Sequence, residues 1–133
     1  MNRPHEFRQK DRIDEWRELH RQYIPDSSEG YVFEDVDLVV RQYGAKRDLD
    51  DKGIFCLCEF KTYYRNRLAG AQYMTFKLLD SLLRRGDKEG RYLGFFLVSY
   101  IDEREVFVNG FKTDKGGLLK FYKFDWIPPA YEF

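Results

Sequence analysis

Asp37, Glu59 and Lys61 are the residues whose types and spacing favour chemistry. Asp37 stands in an apolar run typical of a strand, and Glu59 and Lys61 end a second run of that kind. Residues i and i+2 of a strand share a face, so Glu59 and Lys61 point the same way, and Asp37 joins them if the strands are neighbours. Carboxylates on a half-buried face suit a hard cation such as Mg²⁺, and a lysine beside them can orient or deprotonate a water molecule.

The spacing Asp37…Glu59-x-Lys61 resembles the motif of the PD-(D/E)xK nuclease superfamily, which includes restriction endonucleases, Holliday-junction resolvases and RecB-type nucleases. The likeness covers residues 31–99, with a helix before the motif, an apolar strand under each acidic residue and a helix after it. It implies an Mg²⁺- or Mn²⁺-dependent nuclease that hydrolyses phosphodiester bonds of DNA. Asp37, Glu59 and the carbonyl of Phe60 would bind the metal, and Lys61 would orient the attacking water.

Gln72 and Phe76 extend the resemblance into the helix that follows. RecB-type nucleases carry a glutamine there, followed four residues later by an aromatic residue, and the amide would hold the Lys61 region or a substrate phosphate. Families of this type also take one more polar group from the first helix. The candidates in this chain are Glu15, Glu18 and His20. Glu18 is the preferred one.

Arg65 and Arg67 flank the entry to that second helix, and Tyr63 and Tyr64 stand beside them. Guanidinium groups suit phosphate contacts and tyrosine rings can stack on bases, which predicts a nucleic-acid contact with Arg65, Arg67 and Tyr64. A solvated turn explains the same residues equally well, and the sequence leaves both interpretations open.

Simpler interpretations exist for the acidic residues as well. Asp37 is expected to be buried, because apolar residues occupy both faces of its segment, whereas Glu34 and Asp35 are rival acids nearby. Glu59 and Lys61 could form a solvent-facing ion pair, which is common on amphipathic strands. The combination with Asp37 is what favours a functional site.

The apolar pattern predicts an α/β fold, an α+β mixed sheet in the order α-β-β-β-α-β-β-β, and the chain length predicts a single domain over residues 1–133. The resemblance implies that this domain is nuclease-like. The resemblance implies a restriction-endonuclease-like core, a central mixed sheet flanked by helices. The predicted elements are a helix over 11–24, one or two strands within 31–43, a hairpin tip at 44–53, a strand over 54–62, a helix over 68–85 with Leu78, Leu79 and Leu82 on its apolar side, a strand over 92–100, a hairpin over 106–111, a strand over 118–124 and an irregular tail from Trp126.

Composition limits the kinds of partner and the cellular compartment that fit this chain. The chain has 133 residues, 23 basic and 23 acidic side chains and a net charge of zero, so nucleic acid would have to bind a local basic patch. Cys56 and Cys58 are expected to be reduced core residues on one strand face, as in a cytoplasmic protein. No apolar run approaches the roughly 18 residues of a membrane span, so no membrane association is expected.

Other classes of function fit parts of the pattern. One is a catalytically inactive nucleic-acid-binding module of the same fold. Another is a small assembly or scaffolding protein, which the neutral charge and the aromatic tail of residues 126–133 would suit. Because one core this small offers little surface to hold DNA, a homodimer or a larger nuclease complex is compatible with the nuclease interpretation.

Overall fold

The computed structural model describes residues 14–19, 22, 28, 30, 34–44 and 52–133. The chain divides into two compact units, Met1–Phe33 and Glu34–Phe133. In the first unit, residues 14–19 and 22 are helical and exposed, and Gln22 donates a hydrogen bond to the Glu18 carboxylate at 2.8 Å. They fall within the helix predicted over 11–24, the rest of which lies outside the described residues.

A five-stranded mixed sheet with two helices forms the second unit, which confirms the coarse α/β class. The elements are β1 (Leu38–Gln42), β2 (Ile54–Lys61), α1 (Gly70–Gly86), β3 (Tyr92–Asp102), β4 (Glu105–Val108), β5 (Phe111–Thr113) and α2 (Lys115–Tyr122). Strand order follows chain order, with β2 and β3 parallel and the other neighbours antiparallel. Between residues 34 and 69, the described part holds two strands rather than the three predicted.

β1 and β2 form the predicted hairpin, with Gln42 opposite Ile54 and Leu38 opposite Cys58. Gly53 enters β2 with a positive φ of 72°, and a Cβ there would lie 1.9 Å from the carbonyl oxygen of Gln42. Only glycine fits that approach, because any side chain would collide with backbone. Residues 45–51 of the charged hairpin tip lie outside the described residues.

β3 is buried on both faces, as its unbroken apolar run predicts. Phe95 and Leu97 point toward α1, where Phe76 packs 4.7 Å from the Phe95 ring. Phe96 lies in the cluster on the other face, with the α2 residue Phe121. The sheet therefore separates two apolar clusters, each covered by one helix.

Cys56 and Cys58 lie on the α2 face of β2, fully buried and with their sulfurs 3.9 Å apart. The contact with Cys56, together with burial, raises the pKa of Cys58, so this thiol stays protonated. The prediction of two buried cysteines on one strand face is confirmed. Alternation along β2 then turns Leu57 and Glu59 toward the α1 face.

The α1 helix ends with Arg84 and Arg85 in its last turn, as predicted. Phe76 and Leu79 face the sheet, but Leu78 and Leu82 are exposed, so the predicted apolar side was only partly right. Among the described helices, none has the length and apolar content needed to cross a membrane.

The strand predicted over 118–124 is wrong, because residues 118–122 belong to α2 and residues 123 and 124 form the turn after it. Asp114 caps the helix by accepting a hydrogen bond from the Gly117 amide at 2.9 Å. Leu118 and Phe121, three residues apart, are the buried positions, which is helical rather than strand spacing. The hairpin at Asn109–Gly110 is confirmed, with positive φ at both residues as a type I′ turn requires.

The irregular C-terminal tail packs on its own domain. Tyr131 is buried, donates its amide to the Phe95 carbonyl at 2.9 Å and accepts a hydrogen bond from the Leu68 amide at 2.6 Å. Gly94 allows this contact, since a Cβ there would lie 2.5 Å from the Cβ of Ala130. The tail thus closes the apolar cluster beneath α1.

We expect Gly94→Ala to destabilise the protein by about 3 kcal/mol, because it adds a steric clash with the tail to an unfavourable positive φ. Gly90→Ala is the matched control, since Gly90 also has a positive φ but open space around it, and should cost only about 1 kcal/mol. Urea unfolding of both variants measures the difference. Equal losses would mean that the tail does not pack closely on β3.

Candidate functional site

Asp37 lies at a bend immediately before β1 and is exposed, so the expectation that it is buried is wrong. The reason is that β1 lies at the edge of the sheet formed by the described residues, and its α1 face is open there, as the 57% exposure of Val39 shows. Asp37 nevertheless reaches β2, because its Oδ2 accepts a hydrogen bond from the Phe60 amide at 2.8 Å. Continuing the hairpin register by one residue brings Asp37 opposite Glu59.

Glu59 is buried near the end of β2, only 5% exposed, and its Oε2 atom has no hydrogen-bond partner among the described residues. Burial raises the pKa of Glu59 to about 8, and so do a side-chain hydrogen bond with Asp37 and the negative charge of Asp37, although the Lys61 ammonium opposes the shift. Without a bound cation, Glu59 therefore holds a proton at neutral pH. Asp37 and Glu59 are brought together, as the sequence predicts for neighbouring strands.

Asp80 is a second buried carboxylate in the described part of the chain, and its hydrogen-bond partners differ from those of Glu59. The Tyr92 hydroxyl donates to one of its oxygens at 2.6 Å, and the Arg84 guanidinium donates to the other at 2.9 Å. Asp80 is thus fully partnered and joins α1 to β3. Buried polar groups are normally satisfied in this way, so the Glu59 oxygen without a described protein partner is a position where a proton, a water molecule or a cation can bind.

Lys61 is half-buried, and its ammonium donates to the Gln72 side-chain oxygen at 3.4 Å. Gln72 is the third residue of α1, so the start of the helix contacts the end of β2. A contact with the Lys61 region is one of the two alternatives predicted for Gln72, and its role in the site stays a prediction. Of the first-helix candidates, Glu15 and Glu18 belong to the first unit, whereas His20 lies outside the described residues. The choice of Glu18 stays a prediction.

The donor set fits a cation of the Mg²⁺ type. Asp37 and Glu59 supply carboxylate oxygens. The amide and the carbonyl of a strand residue point toward the same neighbouring strand. Since the Phe60 amide donates to Asp37, the Phe60 carbonyl also faces the β1 edge. Within the described residues, no three His, Cys, Asp or Glu side chains converge on a metal position. Mg²⁺ sites generally use one or two carboxylates together with waters and substrate phosphates.

The loop of residues 63–67 leaves β2 and folds back beside Lys61. The Ser99 hydroxyl accepts a hydrogen bond from the Arg65 amide at 3.0 Å and donates to the Arg65 carbonyl at 2.7 Å. Ser99 is the register partner of Lys61 on β3, so the backbone of Arg65 lies next to that lysine. Sequence reasoning missed Ser99, because a serine in an apolar strand carries no local signal for a contact that depends on parallel pairing.

Comparisons with known proteins give no match to a protein-family model, a curated protein or a solved structure. The site is therefore interpreted from its own geometry. A buried carboxylate with an unpartnered oxygen faces an exposed carboxylate, and an amide-bound lysine lies beside them. Carboxylate oxygens of this kind are the ligand type that a hard divalent cation takes.

The raised pKa of Glu59 predicts a pH-dependent stability. Its folded-state pKa of about 8 lies above the ordinary 4.5, so the proton stabilises the folded state below pH 4.5 and this contribution is lost as the pH rises through 8. In chelator, the free energy of unfolding of the wild type should fall, relative to that of Glu59→Gln, as the pH rises from 4.5 to about 8. Denaturant titrations at each pH measure both.

Glu89→Gln is the control for that experiment, because Glu89 is an exposed residue paired with Arg91 at the opposite end of the strands. Its stability should follow the wild-type curve across the whole range. Parallel curves for the wild type and Glu59→Gln would contradict the burial of Glu59.

Proposed function

We propose that this protein is a metal-dependent nuclease with a restriction-endonuclease-like core, which hydrolyses phosphodiester bonds of DNA. The observation that carries the proposal is the buried Glu59 oxygen with no described partner, next to the Asp37 carboxylate. Ionised Glu59 would be costly in that position, and a divalent cation that displaces the proton would offset the cost. The resemblance to the PD-(D/E)xK motif supports the same chemistry.

Asp37, Glu59 and the Phe60 carbonyl would hold Mg²⁺ or Mn²⁺. A cation in that position supplies Lewis acidity at the scissile phosphate and lowers the pKa of a bound water. The hydrogen bond from the Phe60 amide to Asp37 fixes one carboxylate relative to the other. Binding of a cation would require Glu59 to lose its proton, because the ionised form is the ligand.

Lys61 would orient the attacking water and stabilise the negative charge that develops on the phosphate. Its contact with Gln72 restricts the ammonium to the end of β2, so the charge is already positioned before substrate arrives. Lys61 and Glu59 share a strand face, which keeps the lysine beside the metal ligands. Arg65 and Arg67 are exposed and available for phosphate contacts.

We expect Glu59→Gln and Lys61→Met each to lower the rate of Mg²⁺-dependent DNA cleavage by about 10²–10⁴-fold, since each removes a charged group that acts on the reacting phosphate or water. The assay follows fluorescently labelled single-stranded and duplex DNA with purified protein, in Mg²⁺ and in chelator. Glu89→Gln should retain the wild-type rate. Cleavage that survives both site substitutions would identify a contaminating nuclease and contradict the proposal.

Metal binding can be tested separately from turnover. Calorimetric titration with Mn²⁺ should show binding to the wild type and to Glu89→Gln, and none to the double variant Asp37→Asn/Glu59→Gln, which keeps the shape of both side chains without their charge. A repeat with a non-cleavable phosphorothioate strand tests whether substrate phosphate completes the site. Absence of binding in both conditions would contradict the metal site and favour an inactive nucleic-acid-binding module.

A further inference from the structure

The 63–67 loop exposes two tyrosines and two arginines within a few residues of Lys61. Tyr63 is 52% exposed and Tyr64 is 47% exposed. The Arg65 guanidinium lies over one face of the Tyr63 ring, 4.8 Å from its centroid. The Tyr64 ring meets the Phe107 ring edge to face at 4.3 Å, so its orientation is fixed by β4.

The backbone of this loop is held, although its side chains are exposed. Ser99 binds both the amide and the carbonyl of Arg65, and the Leu68 amide donates to the buried Tyr131 hydroxyl. Rings presented on a fixed backbone lose little conformational entropy when a ligand binds. Exposed aromatic rings held in this way are suited to a planar ligand.

Two exposed arginines place positive charge beside the tyrosine rings of this loop. In the described part of the chain, neither Arg65 nor Arg67 forms an ion pair with a carboxylate, whereas Arg84 and Arg91 do. The net charge of the whole chain is zero, so this pair is a local cationic feature rather than part of a general basic surface. The loop therefore combines planar apolar surfaces with charges that complement phosphate.

Two open depressions meet at this loop. One, of about 300 Å³, is lined by residues 63–67. The other, of about 440 Å³, shares Asn66 and Arg67 with the first and continues past Asn109 and Phe111 to the C-terminal tail. Phe111 adds a third exposed ring, at 48% exposure. The two depressions are adjacent because they share these residues, and together they are called the trough below.

We propose that this trough binds single-stranded nucleic acid, with a base stacked on Tyr63 and phosphates on Arg65 and Arg67. The inference rests on the proposed function only in placing the cleaved bond of the strand at Lys61 and the acidic residues. Binding of the strand to the trough needs no metal. Bases can stack on protein rings only when their faces are free, and a duplex hides those faces between its own base pairs. A trough built for duplex DNA would need cations along its length rather than rings.

Fluorescence anisotropy in chelator tests the proposal without cleavage. The probes are a labelled strand of about 20 nucleotides, an RNA of the same sequence and the corresponding blunt DNA duplex. We expect at least one of the two single strands to bind the purified 133-residue chain about tenfold or more tightly than the duplex. The two single-stranded arms separate DNA from RNA, and preference for either satisfies the inference.

Tyr63→Ala should weaken single-strand binding by about 5- to 100-fold, the range expected for loss of one base–aromatic stack, whereas Tyr63→Phe should bind as the wild type does. A strand containing 2-aminopurine adds a direct readout, because stacking on the ring quenches its fluorescence. Arg65→Ala and Arg67→Ala should each reduce the slope of log affinity against log salt by about 0.7.

Tyr43→Ala is the matched control, because the Arg41 guanidinium lies over the Tyr43 ring at 4.7 Å, the same pairing at the opposite end of the sheet. It should leave binding unchanged. Equal affinity for the duplex, or an equal loss in Tyr43→Ala and Tyr63→Ala, would overturn the inference. Single-strand binding that depends on Tyr63 but is never followed by Mg²⁺-dependent cleavage would support the inference and contradict only the nuclease.

Discussion

The parallel pairing of β2 with β3 is the constraint on which the rest of the structure depends. Parallel neighbours cannot be joined by a tight turn, so the chain must cross over from the end of one strand to the start of the next. Here the crossover contains the 63–67 loop and α1. Since it departs from the end of β2, Lys61, the loop and Gln72 are all brought to that one end of the sheet.

Burial of Glu59 is the unfavourable feature that the fold tolerates. The same sheet and helix satisfy Asp80 on both of its oxygens, which shows that this architecture can accommodate a buried carboxylate fully. Glu59 instead lies at the open edge of the α1 face, where Asp37 is exposed and Val39 is uncovered. Local conflicts between polarity and burial tend to occur at functional sites, because function rather than stability selects them.

Many helices and strands of the second unit can be predicted from the local sequence pattern, but the pairing of its strands cannot. Alternation and turn chemistry predict the hairpin at Asn109–Gly110, whereas an apolar run over 118–124 suits either strand or helix and is decided by the cap at Asp114. The shared face of Glu59 and Lys61 follows from strand geometry. The exposure of Asp37 cannot be predicted in this way, because adjacent residues do not reveal that β1 lies at the edge of the described sheet. The role of Ser99 cannot be predicted either, because it depends on the register between segments that are distant in the sequence.

Cys56 and Cys58 alternate along β2 with Leu57 and Glu59, so the strand that carries the acidic residue also carries two fully buried thiols. A thiol-reactive reagent can modify them only after this strand separates from its neighbours. The rate of modification therefore measures how often the site-bearing strand opens. A cation or a nucleic acid that holds Glu59 and the end of β2 in place would slow that reaction, so native cysteine labelling would report on occupancy of the site.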